Sequence, residues 1–126
     1  MRAVVLLTLL IACAEAPPRA PASDCRSTEP MTLGSARAVE PRYVTQTGKS
    51  GPSNRLVGAT LIVDPEPGTT KELLQHRFDC SREAPLGVAG ARAVVTSGDG
   101  SYRVAVTSDD NEEAREILRR AQALPR

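Results

Sequence analysis

Hydrophobic residues gather along this chain in separate stretches, and the spacing within each stretch predicts a different element. Leu56 to Asp64 carries apolar side chains at both alternations, Val57, Ala59, Leu61 and Val63 on one face with Leu56 and Ile62 on the other, the pattern of a largely buried strand. Pro65, Pro67 and Gly68 end it. A helix is expected next, with Thr69 as N-cap and Glu72 three residues on, running through Leu73, Leu74 and Phe78 to about Arg82, before Pro85 and Gly87. Two alternating runs follow, Ala91, Ala93, Val95 and then Tyr102, Val104, Val106, joined by Gly98-Asp99-Gly100 as a hairpin. The last element is a helix capped by Asp109 with Glu112 as its third residue, whose apolar stripe is Ala114, Ile117, Leu118, Ala121 and Leu124.

The predicted order is therefore βαββα over residues 55–124, an α+β two-layer sandwich similar in order to a ferredoxin-like fold lacking its last strand. The hairpin and final helix also look like the second half of small periplasmic modules such as BON domains, a likeness of pattern over about 35 residues that brings no function with it. Upstream, Pro17, Pro18, Pro21, Pro30, Pro41 and Pro52 interrupt the chain, so residues 13–54 read as a flexible tether. Within it, Arg42 to Thr47 is β-prone and fits an extra edge strand over 42–47.

The amino terminus carries a different signal. Met1-Arg2 gives one positive charge, and Ala3 to Ile11 is apolar except for Thr8 before the chain turns polar at Glu15, Pro17 and Pro18. That run is too short to cross a bilayer, which takes about 20 apolar residues, and reads as an export signal over residues 1–12. Its end, Leu10-Ile11-Ala12-Cys13, resembles the lipobox of bacterial lipoproteins at all four positions. The resemblance implies a diacylglyceryl group on the Cys13 thiol, cleavage before Cys13 and acylation of the new amino group, palmitate among the expected chains. Each buried methylene adds about 0.8 kcal/mol, and two or more chains hold a protein on a membrane. Ala14 stands where some such proteins carry an inner-membrane retention Asp, so the resemblance favours the outer membrane, facing the periplasm. Ordinary secretion stays open, since Ala12-Cys13-Ala14 and Ala20-Pro21-Ala22 both offer small residues at conventional cleavage spacing.

Three cysteines leave an odd thiol in an oxidising compartment unless Cys13 is taken by lipid; Cys25 and Cys80 then form an even pair. Joining them closes a loop of about 55 residues, worth about 4 kcal/mol in the chain-entropy description. Such a staple suits a domain with no Trp, one Phe and two Tyr, whose core is built from small aliphatic side chains.

Composition excludes more than it selects. The 126 residues carry 16 basic and 15 acidic side chains, and removal of residues 1–12 takes only Arg2, leaving a balance that argues against a nucleic-acid partner. His76 and Cys80 are spaced as i and i+4 on the first helix and with Cys25 make a three-ligand set of zinc or copper type, set against the plainer reading of a surface histidine beside a disulfide. His76 is the sole imidazole and no nucleophile stands in a GxSxG context, so no catalytic site and no cofactor are expected. Asp109, Asp110, Glu112 and Glu113 lack the spacing of a calcium loop and sit where helix starts attract acids. Arg115, Arg119 and Arg120 alternate with Glu112, Glu113 and Glu116 as a solvated mixed-charge face, Glu116 to Arg120 having the favourable i to i+4 order. The expectation is a membrane-anchored periplasmic lipoprotein whose domain is a non-enzymatic protein-interaction or envelope module. The alternatives are a periplasmic small-ligand or metal-binding protein, or a secreted soluble one.

Overall fold

The structure, a computed structural model, describes Cys25 and residues 33–126. Its elements run β1 (Ala38–Gly48), β2 (Gly51–Val63), α1 (Lys71–Cys80), a short helical turn (Pro85–Gly87), β3 (Arg92–Gly98), β4 (Ser101–Thr107) and α2 (Asn111–Gln122). The strands form one antiparallel sheet in the order β1-β2-β4-β3. The α+β class is as expected, but the order is ββαββα, one strand more than βαββα. The extra strand lies in residues that read as tether. Pro41 marked that stretch as irregular, yet β1 is the sheet's edge, where a residue without an N–H forfeits no ladder bond. Pro52 stands next to the tight β1–β2 turn, opposite Thr47. The strand foreseen over 42–47 is thus part of a longer one, and β2 begins five residues before Leu56.

Register shows what each face holds. Val39, Leu61, Val104 and Val95 stand in one cross-strand row, and Pro41, Ala59, Val106 and Ala93 in the next. Leu61, Ala59, Val104 and Val106 are fully buried here. Against this face pack Leu74 and Phe78 of α1 and Ala114, Ile117 and Ala121 of α2, the last three with no exposed surface. Leu118 lies at the margin of the α2 stripe, and Leu124, expected on the helix, packs beside the core just past its end at Gln122.

Both helix starts fall one residue after the expected cap. The Thr70 hydroxyl accepts the Leu73 N–H at 3.2 Å, while the Thr69 carbonyl accepts the Tyr102 hydroxyl at 2.7 Å. At α2, Asp110 accepts the N–H groups of Glu112 and Glu113, both at 2.9 Å. Asp109 is released to pair with Arg92 at 3.0 Å, bracing the helix start against β3. Buried Ser108 accepts from the Asp110 N–H at 3.1 Å and donates to Glu113 at 2.5 Å. The β3–β4 turn matches its sequence signal, since Asp99 and Gly100 both have positive φ, 54° and 73°, as a two-residue hairpin loop requires.

One irregularity shapes the rest. Register shifts between Arg42 and Tyr43, which pair with Gly58 and Leu56, so Val57 is a bulge residue. At Gly58 (φ 148°) a Cβ would stand 2.0 Å from the Val106 carbonyl oxygen, so only glycine lets β2 pass this close to β4. Pairing of β2 with β4 starts at Gly58, with one more bond from the Ser108 N–H to the Val57 carbonyl at 2.9 Å. Beyond it β1 and β2 pair, among the described residues, only with each other, over six rungs from Tyr43–Leu56 to Gly48–Gly51, a two-stranded ribbon about 20 Å long.

Candidate interaction surface

With both helices on one face, no described element covers the other face of the sheet. Register places Glu40, Thr60, Ala105 and Val94 in one row there, flanked by Arg42, Gly58, Thr107 and Arg92 on one side and Ala38, Ile62, Arg103 and Thr96 on the other. A groove of about 410 Å³ runs over this face, edged by Tyr43. Its chemistry is hydroxyl and guanidinium on a thin aliphatic floor: Thr60, Thr96 and Thr107 contribute hydroxyls, Arg42 and Arg103 cations, and Glu40 an acid. Val94 and Tyr43 are exposed at 55% and 56%, more than is usual for side chains of their size.

The ribbon carries β1 and β2 beyond the sheet. The Thr45 hydroxyl donates to the Asn54 side-chain oxygen across it at 3.1 Å, and Arg55 ties its base to the body by donating to the Asp109 carbonyl at 2.7 Å. From Arg42 to Val63 the chain carries Arg42, Lys49 and Arg55 and no acidic residue. This stretch of the first hairpin is thus net positive in a molecule whose total charge is nearly balanced.

On the opposite sheet edge α1 takes two of the outward backbone groups of β3. Gln75 of α1 accepts the Val95 N–H at 2.7 Å and donates to the Ala93 carbonyl at 3.0 Å and to Asp79 at 2.9 Å. Its amide takes the place that a fifth strand would occupy on β3.

The residues singled out in the sequence fall elsewhere. The Cys25 and Cys80 sulfurs lie at bonding distance, 2.08 Å, which is compatible with the pairing expected from the cysteine count. His76 faces Cys80, its ring nitrogens 3.7 and 3.8 Å from the sulfur. The three residues of the candidate metal set are thus neighbours, but sulfurs joined to each other are not thiolate ligands. Among the described residues no group of three or more His, Cys, Asp or Glu side chains is arranged to hold a metal ion. Of the acids at the α2 start, Asp110 acts as cap, Asp109 as ion-pair partner and Glu113 as hydrogen-bond acceptor. Glu116 accepts from Arg119 at 2.5 and 2.8 Å and from Arg120 at 2.6 Å, and Arg120 also donates to the Leu86 carbonyl at 3.0 Å. The Arg119 bonds first, then that of Arg120, hold the Glu116 carboxyl at about 2, below its ordinary 4.5. Cys13 and the export signal lie outside the described residues.

Protein-family models, curated proteins and solved structures yield no match to this chain. Its surface therefore speaks through its own chemistry. Sequence reasoning passed over Arg42, Thr60, Thr96, Arg103 and Thr107 because nothing local marks them; β4's alternation sets Arg103 and Thr107 opposite its buried valines, but only cross-strand pairing unites them with Arg42 and Thr60.

Proposed function

We propose that this chain is an envelope lipoprotein, exported by residues 1–12 and held on the periplasmic side of a membrane, in preference the outer one, by lipid on Cys13. Its α+β domain acts as a non-enzymatic protein-interaction module. The anchor rests on Leu10-Ile11-Ala12-Cys13. The interaction reading rests on one observation: the helices cover one side of the sheet, and β1 and β2 run past it as a ribbon that pairs with nothing else among the described residues. We also read the fold as ferredoxin-like with β1 standing where the missing final strand would lie, beside β2 at the sheet edge. With Cys25 bonded to Cys80, eleven residues lie between the lipidated position and the domain, which keeps its attachment within about 40 Å of the membrane.

Two measurements on bacterial membranes test this. The intact mass should begin at residue 13 with added acyl groups that Cys13→Ser abolishes; an unacylated product beginning at residue 15 or 23 ends the anchor reading. Photo-crosslinkers placed at Thr45, at Val94 and, as a control, at Arg115 should capture a partner at the first two positions. Capture at none ends the interaction reading.

A metal-binding reading has one observation in its favour, the approach of His76 to Cys80. It requires the reduced protein, and a reduced sample that gains no thermal stability from zinc or copper would dispose of it.

A further inference from the structure

The two edges of the sheet are treated in opposite ways. On β3 the Gln75 amide fills the outward-facing Ala93 carbonyl and Val95 N–H. On β1 the inner part carries Glu40 and Pro41, a charge and a proline of the kind that discourage another strand from adding. Past the register shift these devices stop. Tyr43-Val44-Thr45-Gln46-Thr47 is an uncharged, β-prone run, exposed along its length, with Val44 at 37% and Tyr43 at 56%, and no described strand pairs with its outer side. A two-stranded ribbon alone is marginal in water, and a third strand gives it backbone partners and side-chain neighbours. Charge selects the occupant. Arg42, Lys49 and Arg55 lie on or beside the ribbon and the one nearby acid of the hairpin, Glu40, lies further in on β1, so a second copy would bring one net-positive stretch to another, whereas an acidic segment meets complementary charge.

We propose that the outer edge of β1 over Tyr43–Thr47 is a strand-addition site for an extended, acid-rich segment of another protein. Main-chain hydrogen bonds hold the segment, and Arg42 and Lys49 select its charge. This rests on the interaction reading above and is independent of the lipid anchor.

The test uses the full chain in mild detergent and a dye-labelled peptide of about twelve residues alternating Glu with Val and Thr. Fluorescence anisotropy should show binding that weakens about tenfold or more between about 50 and 300 mM salt, and by as much in Arg42→Glu/Lys49→Glu. Amide exchange at residues 43–47 should slow on binding. Absence of binding, equal binding of a peptide with Lys in place of Glu, or binding with no slowing at 43–47 would each overturn the proposal. A dimer seen by sedimentation without peptide, with 43–47 protected, would give the edge to a second copy instead. Capture by the Val94 crosslinker with no peptide binding would end the edge proposal and leave the interaction reading standing.

Discussion

Gln75 offers the sharpest test of how this sheet ends. Its side chain makes two bonds to β3, to the Val95 N–H at 2.7 Å and the Ala93 carbonyl at 3.0 Å, in a half-buried position. Gln75→Ala removes both and leaves a backbone donor and acceptor under α1 where water reaches them poorly. At about 1 kcal/mol net per bond, with some desolvation left uncompensated, the loss is about 2 kcal/mol. For a domain of this size that lowers Tm by about 10 °C. Urea denaturation should show a lower midpoint with an unchanged slope, because the surface exposed on unfolding is the same. Gln75→Glu separates hydrogen bonding from packing. It keeps the acceptor for Val95 but sets a carboxylate against the Ala93 carbonyl and the Asp79 carboxylate, so it should cost as much at neutral pH. It should recover part of the loss below about pH 4, where a protonated carboxyl donates again. A loss under about 0.5 kcal/mol for Gln75→Ala, with Val95 exchange unchanged, would refute the edge-closing role.

Other outcomes follow from the same geometry. Gly58→Ala, forced 2.0 Å from the Val106 carbonyl oxygen at a φ of 148°, should destabilise by at least about 2 kcal/mol or prevent folding, as thermal melts would show. Ile117→Ala, at a position with no exposed surface, should cost about 3 kcal/mol by urea titration; a loss below about 1 kcal/mol would mean that α2 does not seal the core. Reduction, or Cys80→Ser, should lower stability by up to about 4 kcal/mol for the 55-residue separation, and unchanged melting would show that the bond does not restrain the chain. The Glu116 carboxyl should titrate near 2 by carbon NMR. Because its folded value lies below the ordinary 4.5, its ion pairs contribute fully above that pH and are lost as pH falls from 4.5 towards 2; a midpoint near 4.5 would show that Arg119 and Arg120 do not hold it.

Local chemistry in the sequence determined the elements whose signals are complete within a few residues. Asp99-Gly100 takes positive φ at little cost and closes β3 on β4, and the stripe Ala114, Ile117, Leu118, Ala121 has one way to bury itself on a helix. The alternation of Val104 and Val106 with Arg103 and Thr107 shows that β4 has one wet face. Even the caps were legible to within one residue, the uncertainty left by adjacent Thr69-Thr70 and Asp109-Asp110, where either side chain has the right chemistry and tertiary bonds to Tyr102 and Arg92 choose between them. What only the tertiary structure decided is pairing between distant segments. Pro41 reads as a strand breaker until β1 is known to be an edge, and Gly58 reads as an ordinary glycine until β4 passes beside it. The face that no described element covers, the reach of Gln75 to β3 and the two-stranded ribbon all depend on cross-strand register, because hydrogen bonds between strands join residues that carry no mark of one another along the chain.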